Sequence, residues 1–469
     1  MKRVRIWRVL TLVVVLAIVA AACGDDDATT TTAAGATTTT AGATTTAAGA
    51  TTTAGSTEPV VVCELAYYTG EFAPYGPSLT DDIAFPIDFV INEDPPLGRP
   101  WELVSEDLGT VGEAQAARTC LENHGAEILV SMAHGYRTYR DYLIEWVAEH
   151  DGPLGPSVHG GAIPGNLGGK AEEPIFRAQG LDVALGMTGV LYAESIGAQT
   201  VVIFATEVEG FQVASDGAEL AAEAAGIEVL ARIDAPAEQA SYRAEAEQIA
   251  GLAPDAVIVQ AGSVESATLI KQAAEAGLSL DWIGETGWVQ PEFMNTLGAA
   301  TVATQRSIGF AGFAPNITTA AWDFYQPLWD SSPGHGPGTD FGDATGSYHF
   351  STYDVMVQTA LAVEAGGSYN ASDWAPAMHE VGEAPGTVCY DYASCLALIR
   401  DGADIDYEGV TGSGTYTDGG VNDVAQSYTP YLQDGTMGAS VLIDKDRAFE
   451  VIALIAVEAE CDDANVCTW

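Results

Sequence analysis

The chain has 469 residues, 47% of them apolar, which is enough for two domains with well-filled cores. It carries 65 Asp and Glu against 17 Lys and Arg, a net charge of −48. A surface this negative repels phosphate backbones and anionic headgroups, so nucleic acid is set aside as a partner and the acidity reads first as a means of solubility.

The amino end reads as a secretory signal over residues 1–22: Lys2, Arg3, Arg5 and Arg8 precede the apolar run Val9 to Ala22. That run is short of the roughly 20 residues a spanning helix takes, and no comparable run follows. "Ala20-Ala21-Ala22-Cys23-Gly24" then resembles a bacterial lipobox, with Ala20 where that motif prefers Leu. The resemblance implies a lipid on Cys23; ordinary cleavage after Ala22 would instead leave a secreted protein. Two or three acyl chains hold a protein on a membrane stably where one does not. Residues 24–57 are Asp25, Asp26 and Asp27 followed by almost nothing but Thr, Ala and Gly, a composition that buries no core. With Cys23 they make a flexible tether, 23–57, that would hold the body roughly 30 Å from the anchor.

From Glu58 the texture changes. "PVVVCELAYY" is a buried strand, "SLTDDIAFPIDFVINE" a helix, "WELVSED" a strand, "GEAQAARTCLENH" a helix, "AEILVSM" a strand, "YRDYLIEWVAEH" a helix and "GPSVHG" a strand. A second alternating set starts near Val183 with the helix "VALGMTGVLYAESIG" and runs to the strand "LDWIGE". Gly197, Gly226, Gly251 and Gly277 follow its helices as left-handed caps. The alternation predicts an α/β protein of two doubly wound parallel-sheet lobes. "QPLWDSSPGHGPGTDFGDATG" reads as a surface loop, and the apolar run beyond Val441 as a strand on the second lobe.

There are seven cysteines; with Cys23 lipidated an even six remain. The expected pairs are Cys63–Cys120, Cys389–Cys395 and Cys461–Cys467, the last closing a tail at 457–469. No spacing is C-x-x-C and no His pair lies nearby, so neither a metal nor any cofactor is expected.

Four stretches in this order, "AYYTGEFAPYG", "QTVVIFATEVEGFQVASDGAELAAEAAGIEV", "YHFSTYDVMVQTALAVEAGG" and "YEGVTGSGTYTDGG" with "YTPYLQDG", resemble type I periplasmic solute-binding proteins of ABC transporters, the branched-chain amino acid type. The resemblance covers about residues 58–445. It implies a three-crossover hinge, with lobe 1 at 58–182 plus 310–408 and lobe 2 at 183–309 plus 409–456. It implies a small-molecule ligand between the lobes, delivery to permease and ATPase subunits, and a monomer on the extracytoplasmic face of the cell membrane. Carried over position by position, the ligand contacts are Tyr75; His134, Gly135 and Tyr136; Gly161, Ala162 and Ile163; Glu209; Ser263; Glu285, Thr286 and Trp288; and Tyr348. The family's serine cluster for a ligand carboxylate is missing at 133–136, and Glu285 stands one residue from the family's acid. The α-amino-acid clamp is therefore not intact, and the ligand is read as a small polar molecule, amino acid, amide or amine-like.

Two other classes, an enzyme and a sensor, fit the sequence less well. An enzyme would show a nucleophile, phosphate or metal motif, and G-x-x-x-x-G-K-[ST], G-x-S-x-G and H-E-x-x-H are all missing. A sensor would use the same lobes to present solute to a separate receptor. The resemblance favours transport over both.

Overall fold

A computed structural model describes residues 58–451, except 71, 131–134, 159, 423, 445–446 and 449–450. The signal, Cys23, the tether and the Cys461–Cys467 pair lie outside the described residues, as does His134.

The first sheet opens with β1 (Val60–Ala66), flanked in parallel by β2 (Trp101–Asp107) and β3 (Ile128–Val130). A bridge from Ile128 to Leu154 passes the pairing on to β4 (Gly155–Ser157), which pairs in parallel with β5 (Ile175–Arg177). All but one residue of β1 is buried, as expected of a central parallel strand covered on both faces. Helices Gly76–Phe89 and Ser347–Gly366 pack together over this lobe.

The second sheet has seven strands. β6 (Thr200–Thr206), β7 (Glu228–Ala235), β8 (Ala256–Gln260), β9 (Asp281–Gly284) and β10 (Ser307–Phe313) are all parallel. After the first-lobe pair β11 (Thr387–Cys389) and β12 (Ile405–Tyr407), the strands β13 (Gln426–Pro430) and β14 (Val441–Leu442) add antiparallel beyond β10. Period-two alternation sends Val202, Phe204, Val257, Val259 and Trp282 to one core and Val201, Ile203, Ala256, Ile258 and Ile283 to the other. Apolar on both sides, these strands need helices on both faces, and they have them.

Three segments run between the lobes side by side. The Arg177 amide donates to the Gly420 carbonyl (2.7 Å), the Asn422 amide to the Arg177 carbonyl (3.1 Å), and the Ala314 amide to the Ala425 carbonyl (3.0 Å). The Arg177 guanidinium is fully buried and donates to the carbonyls of Leu167 and Gly419, both at 2.6 Å.

Several expectations change. Residues 409–424, assigned to lobe 2, pack with the first core through Val410, Tyr416 and Val424. Asp354, buried in the helix Ser347–Gly366, holds them there: it accepts from the Tyr407 hydroxyl and the Val410 and Thr411 amides. The loop after Trp329 lies at the surface as expected and is anchored by buried His335, which bonds Asp81 at 2.7 Å. Beyond β14 the described residues Arg447, Ala448 and Val451 are helical, and Asp444 caps the turn by accepting from the Arg447 amide (3.1 Å); the rest of the apolar run expected as a strand lies outside the described residues. Gly251 lies inside the helix Arg243–Leu252, and Ala253 takes the left-handed cap at φ 50°.

Cys63–Cys120 and Cys389–Cys395 are disulfides, both in the first lobe. Among the described residues no helix is long and apolar enough to cross a membrane.

Candidate functional site

In an open α/β sheet, the loops that diverge at the point where strand order reverses leave a crevice at the carboxyl ends of the strands. The first sheet runs β2-β1-β3 and the second β7-β6-β8, so each has such a point. The loop after β1 supplies Tyr67, Phe72 and Tyr75; the segments ending β8 and following β6 supply Gln260, Gly210 and Phe211. Both sets face one cleft of about 550 Å³, its mouth included. Glu285 and Thr286 enter it from the end of β9, Tyr348 from the first turn of its helix, and Gln179, Gly180 and Asp182 from the first crossover.

The lobes touch across this cleft. The Tyr75 hydroxyl donates to Glu285 Oε1 at 3.2 Å, and the Thr286 and Tyr348 hydroxyls lie 3.3 Å apart. Phe72 and Phe211 meet with ring centroids 5.5 Å apart, and Tyr75 and Tyr348 stand edge to face at 6.2 Å. At the rim, Arg137 reaches Glu209 at 3.8 Å. Gly287 makes the approach possible: a Cβ there would lie 1.6 Å from the Tyr75 hydroxyl oxygen.

Two carboxyls define the electrostatics. Glu285 is buried, which pushes its pKa up to about 7 in spite of bonds from the Gly287 amide (2.7 Å), Thr286 and Tyr75; the charge of Asp182 adds to the rise. Asp182, first residue of the helix Asp182–Ser195, is raised to about 8 by burial and then by the Glu209 charge. Burial disfavours the ionised form of each. Tyr67 is pushed well above the ordinary range, chiefly by burial, and stays a hydroxyl. Among the described residues that line the cleft none is Lys, Arg or His. Among the described residues no cluster of His, Cys, Asp or Glu is arranged to hold a metal.

Of the residues singled out in the sequence, Tyr75, Glu285, Thr286 and Tyr348 line the cleft. Glu209 is exposed at the rim beside Gly210, which does line it. Gly161, Ala162 and Ile163 are buried beyond Gly160, the residue of that loop that reaches the cavity. Gly135 caps the helix Tyr136–His150, and Tyr136 is turned to Glu173, donating to it at 2.9 Å. Ser263 is buried at the start of the helix Ser263–Glu275, off the cavity. Trp288 does not cap the cleft: it stacks on Phe293 at 4.4 Å inside the second core, and its carbonyl accepts from Tyr431. Glycine at 284 lets the indole fold back, since a Cβ there would lie 2.0 Å from the ring. The sequence reading missed Phe72, Asp182, Phe211 and Gln260. Their available signal was position: Gln260 ends a strand, Phe72 lies in the loop after one, and Asp182 and Phe211 lie in the first turns of the helices that follow strands.

The model of the periplasmic binding protein family matches residues 59–382. No curated protein sequence matches the chain. Among solved structures it is similar to the branched-chain amino acid transporter substrate-binding protein LivJ of Streptococcus pneumoniae in complex with isoleucine (TM-score 0.62, 15% identity, 82% of this chain and 99% of that one). It is similar to the leucine-binding protein LivK of Thermotoga maritima (TM-score 0.64, 14% identity, 82% and 99%). A solute-binding protein of R. palustris in complex with benzoate also matches (TM-score 0.62, 14% identity, 82% and 95%). These likenesses share the two-lobed α/β fold that the sequence implies, and with the family match over 59–382 the chain belongs to the periplasmic binding protein family.

Proposed function

We infer that the protein captures a small polar solute between its lobes and delivers it to an ABC importer. The observation that carries this is one cleft walled by both lobes, with Tyr75 of the first bonded to Glu285 of the second. A solute there contacts both lobes at once and so favours the closed arrangement over an open one, which is how a hinge protein reports occupancy. A permease that reads the closed shape would then accept loaded protein, with an ATPase driving uptake. The lobes divide as 58–182 plus 310–424 against 183–309 plus 425–456. Isoleucine and benzoate in the similar structures bracket the ligand size, not its charge. A lipid on Cys23 would keep this monomeric body at the outer face of the cell membrane, with residues 24–57 as tether. Thermal denaturation of the chain against amino acids, amides, amines and aromatic acids tests the binding: a true ligand raises the midpoint with concentration. No shift with any solute would defeat the reading. Labelled palmitate should enter the native protein and not Cys23→Ala.

A further inference from the structure

The cleft is chemically lopsided. It holds two buried carboxyls, Asp182 and Glu285, and among the described residues lining it no basic side chain. Around them stand aromatic rings, with Phe72 and Phe211 meeting across the gap. Two buried donors complete the wall. The Gln260 side-chain nitrogen has no hydrogen-bond partner although the residue is 1% exposed, and neither has the Tyr67 hydroxyl at 5% exposure.

Resting on the binding role inferred above, we propose that the cleft selects small organic cations. The ligand ammonium sits between the Asp182 and Glu285 carboxylates and the aromatic rings, and an acceptor atom of the same ligand takes the Gln260 amide and Tyr67 hydroxyl. Each part answers a separate observation. Burying a carboxylate without a counter-charge is costly, and a cation offsets it. Aromatic faces attract cations most strongly where water is excluded. An unmet buried donor is a standing cost that a ligand acceptor removes. A carboxylate ligand would add negative charge to two acids, and a zwitterion, carrying no net charge, would bring its own carboxylate into the same acidic cleft. The whole chain works in the same sense, since a net charge of −48 concentrates cations around it.

Proton linkage follows. The groups that face the pair are Tyr75, Thr286 and Tyr348 at Glu285, Glu209 at Asp182, and Tyr67 near Asp182. Arg137 lies beyond Glu209, and Glu113 acts on Tyr67. Because burial raises both acids, protons occupy them until a cation takes their place, and binding releases protons.

The test is calorimetric titration of the full chain with matched ligands that share one skeleton: 2-phenylethylamine, phenylalanine and 3-phenylpropanoate, then 3-methylbutylamine, leucine and 4-methylpentanoate. The amine of a series should bind at least tenfold more tightly than its acid and more tightly than its amino acid. Its affinity should rise severalfold per unit between pH 6 and 7.5, with proton release seen as a buffer-dependent heat. Asp182→Asn and Glu285→Gln should each weaken the amine about tenfold. An acid or amino acid that binds best, an amine affinity that falls with rising pH, or amine binding unchanged in both variants would overturn the proposal. The pH slope is read on the native protein, so a variant that fails to fold does not spare it. If no amine binds while some other solute does, the cation proposal fails and solute capture stands; if no solute of a broad panel binds, both fail.

Discussion

The two lobes are built from one pattern yet held together by different means. The second sheet has seven strands between two apolar cores, and among the described residues that lobe contains no disulfide. The first sheet opens with a three-stranded unit, continued through a single bridge to a two-stranded one, and its lobe has both described disulfides. Short strands and long loops give up less conformational entropy to hydrogen-bonded ladders, so covalent closure of the unfolded chain matters more there. Sheet area and cross-links are alternative routes to the same stability.

The most severe test of that comparison removes Cys63–Cys120. It closes a 57-residue separation and both cysteines are fully buried. Chain entropy alone sets its contribution at about 4 kcal/mol. The Cys63→Ala/Cys120→Ala chain should therefore unfold in two steps in urea, the first lobe first, where the native chain unfolds at higher denaturant. Cys389–Cys395 closes a separation of only six residues, and the same relation gives about 2 kcal/mol. Its double alanine variant should shift the first step by about half as much. If both variants shift the second lobe's step instead, the contrast between the lobes is wrong.

The walls of the cleft differ as the lobes do, and pH separates them. The first-lobe wall is aromatic; the acids are Asp182, at about 8, on the crossover, and Glu285, at about 7, in the second lobe. Both values lie above those of an open or unfolded chain. Closure without ligand therefore binds protons: it is favoured below the ordinary carboxylate range and loses stability as pH rises through 7 to 8, by up to about 1.4 kcal/mol per unit for each carboxyl. Small-angle scattering without added solute should show the radius of gyration growing between pH 5 and 8.5. Asp182→Asn/Glu285→Gln should stay compact across that range, and Tyr75→Phe, which removes a hydrogen bond that holds the Glu285 pKa down, should move the expansion to higher pH. A radius independent of pH would remove the acids from any part in closure.

How much of this was legible in the sequence depends on how local the cause is. Strand and helix alternation is local, and the parallel sheets followed from it. The pairs Cys63–Cys120 and Cys389–Cys395 followed from an even count and loop lengths. Tyr75, Glu285, Thr286 and Tyr348, singled out through the family resemblance, line the cleft. Asp182 was not singled out, since an acid at the start of a helix is ordinary in sequence, and only the crossover brings it to the cleft. Gln260 looked like the polar end of an apolar strand; that it points into a cavity is a property of the switch point between β6 and β8. Trp288 was misplaced for the opposite reason. Its neighbours Glu285 and Thr286 line the cleft, but the missing Cβ of Gly284 gives the indole room to turn into the core. The position of 409–424 depended on Asp354, some 55 residues upstream, reaching the Val410 and Thr411 amides.

The smallest expected effect lies at the cleft rim, where the lobes meet through charge alone. Arg137 of the first lobe and Glu209 of the second approach to 3.8 Å, with side chains 49% and 41% exposed. An ion pair this open to water contributes a few tenths of a kcal/mol, and salt screens most of that. Arg137→Ala should leave the unfolding midpoint unchanged within error and shift solute affinity less than threefold. The sign is still informative. Removing Arg137 leaves the Glu209 charge acting on Asp182 uncompensated, which favours a cation in the cleft and disfavours an anion. The variant should thus bind an amine slightly more tightly at low salt, the gain vanishing by about 0.5 M salt as the Debye length contracts. A large loss of affinity for every solute would instead make this pair a latch on which closure depends, and the aromatic and acidic walls would no longer account for binding by themselves.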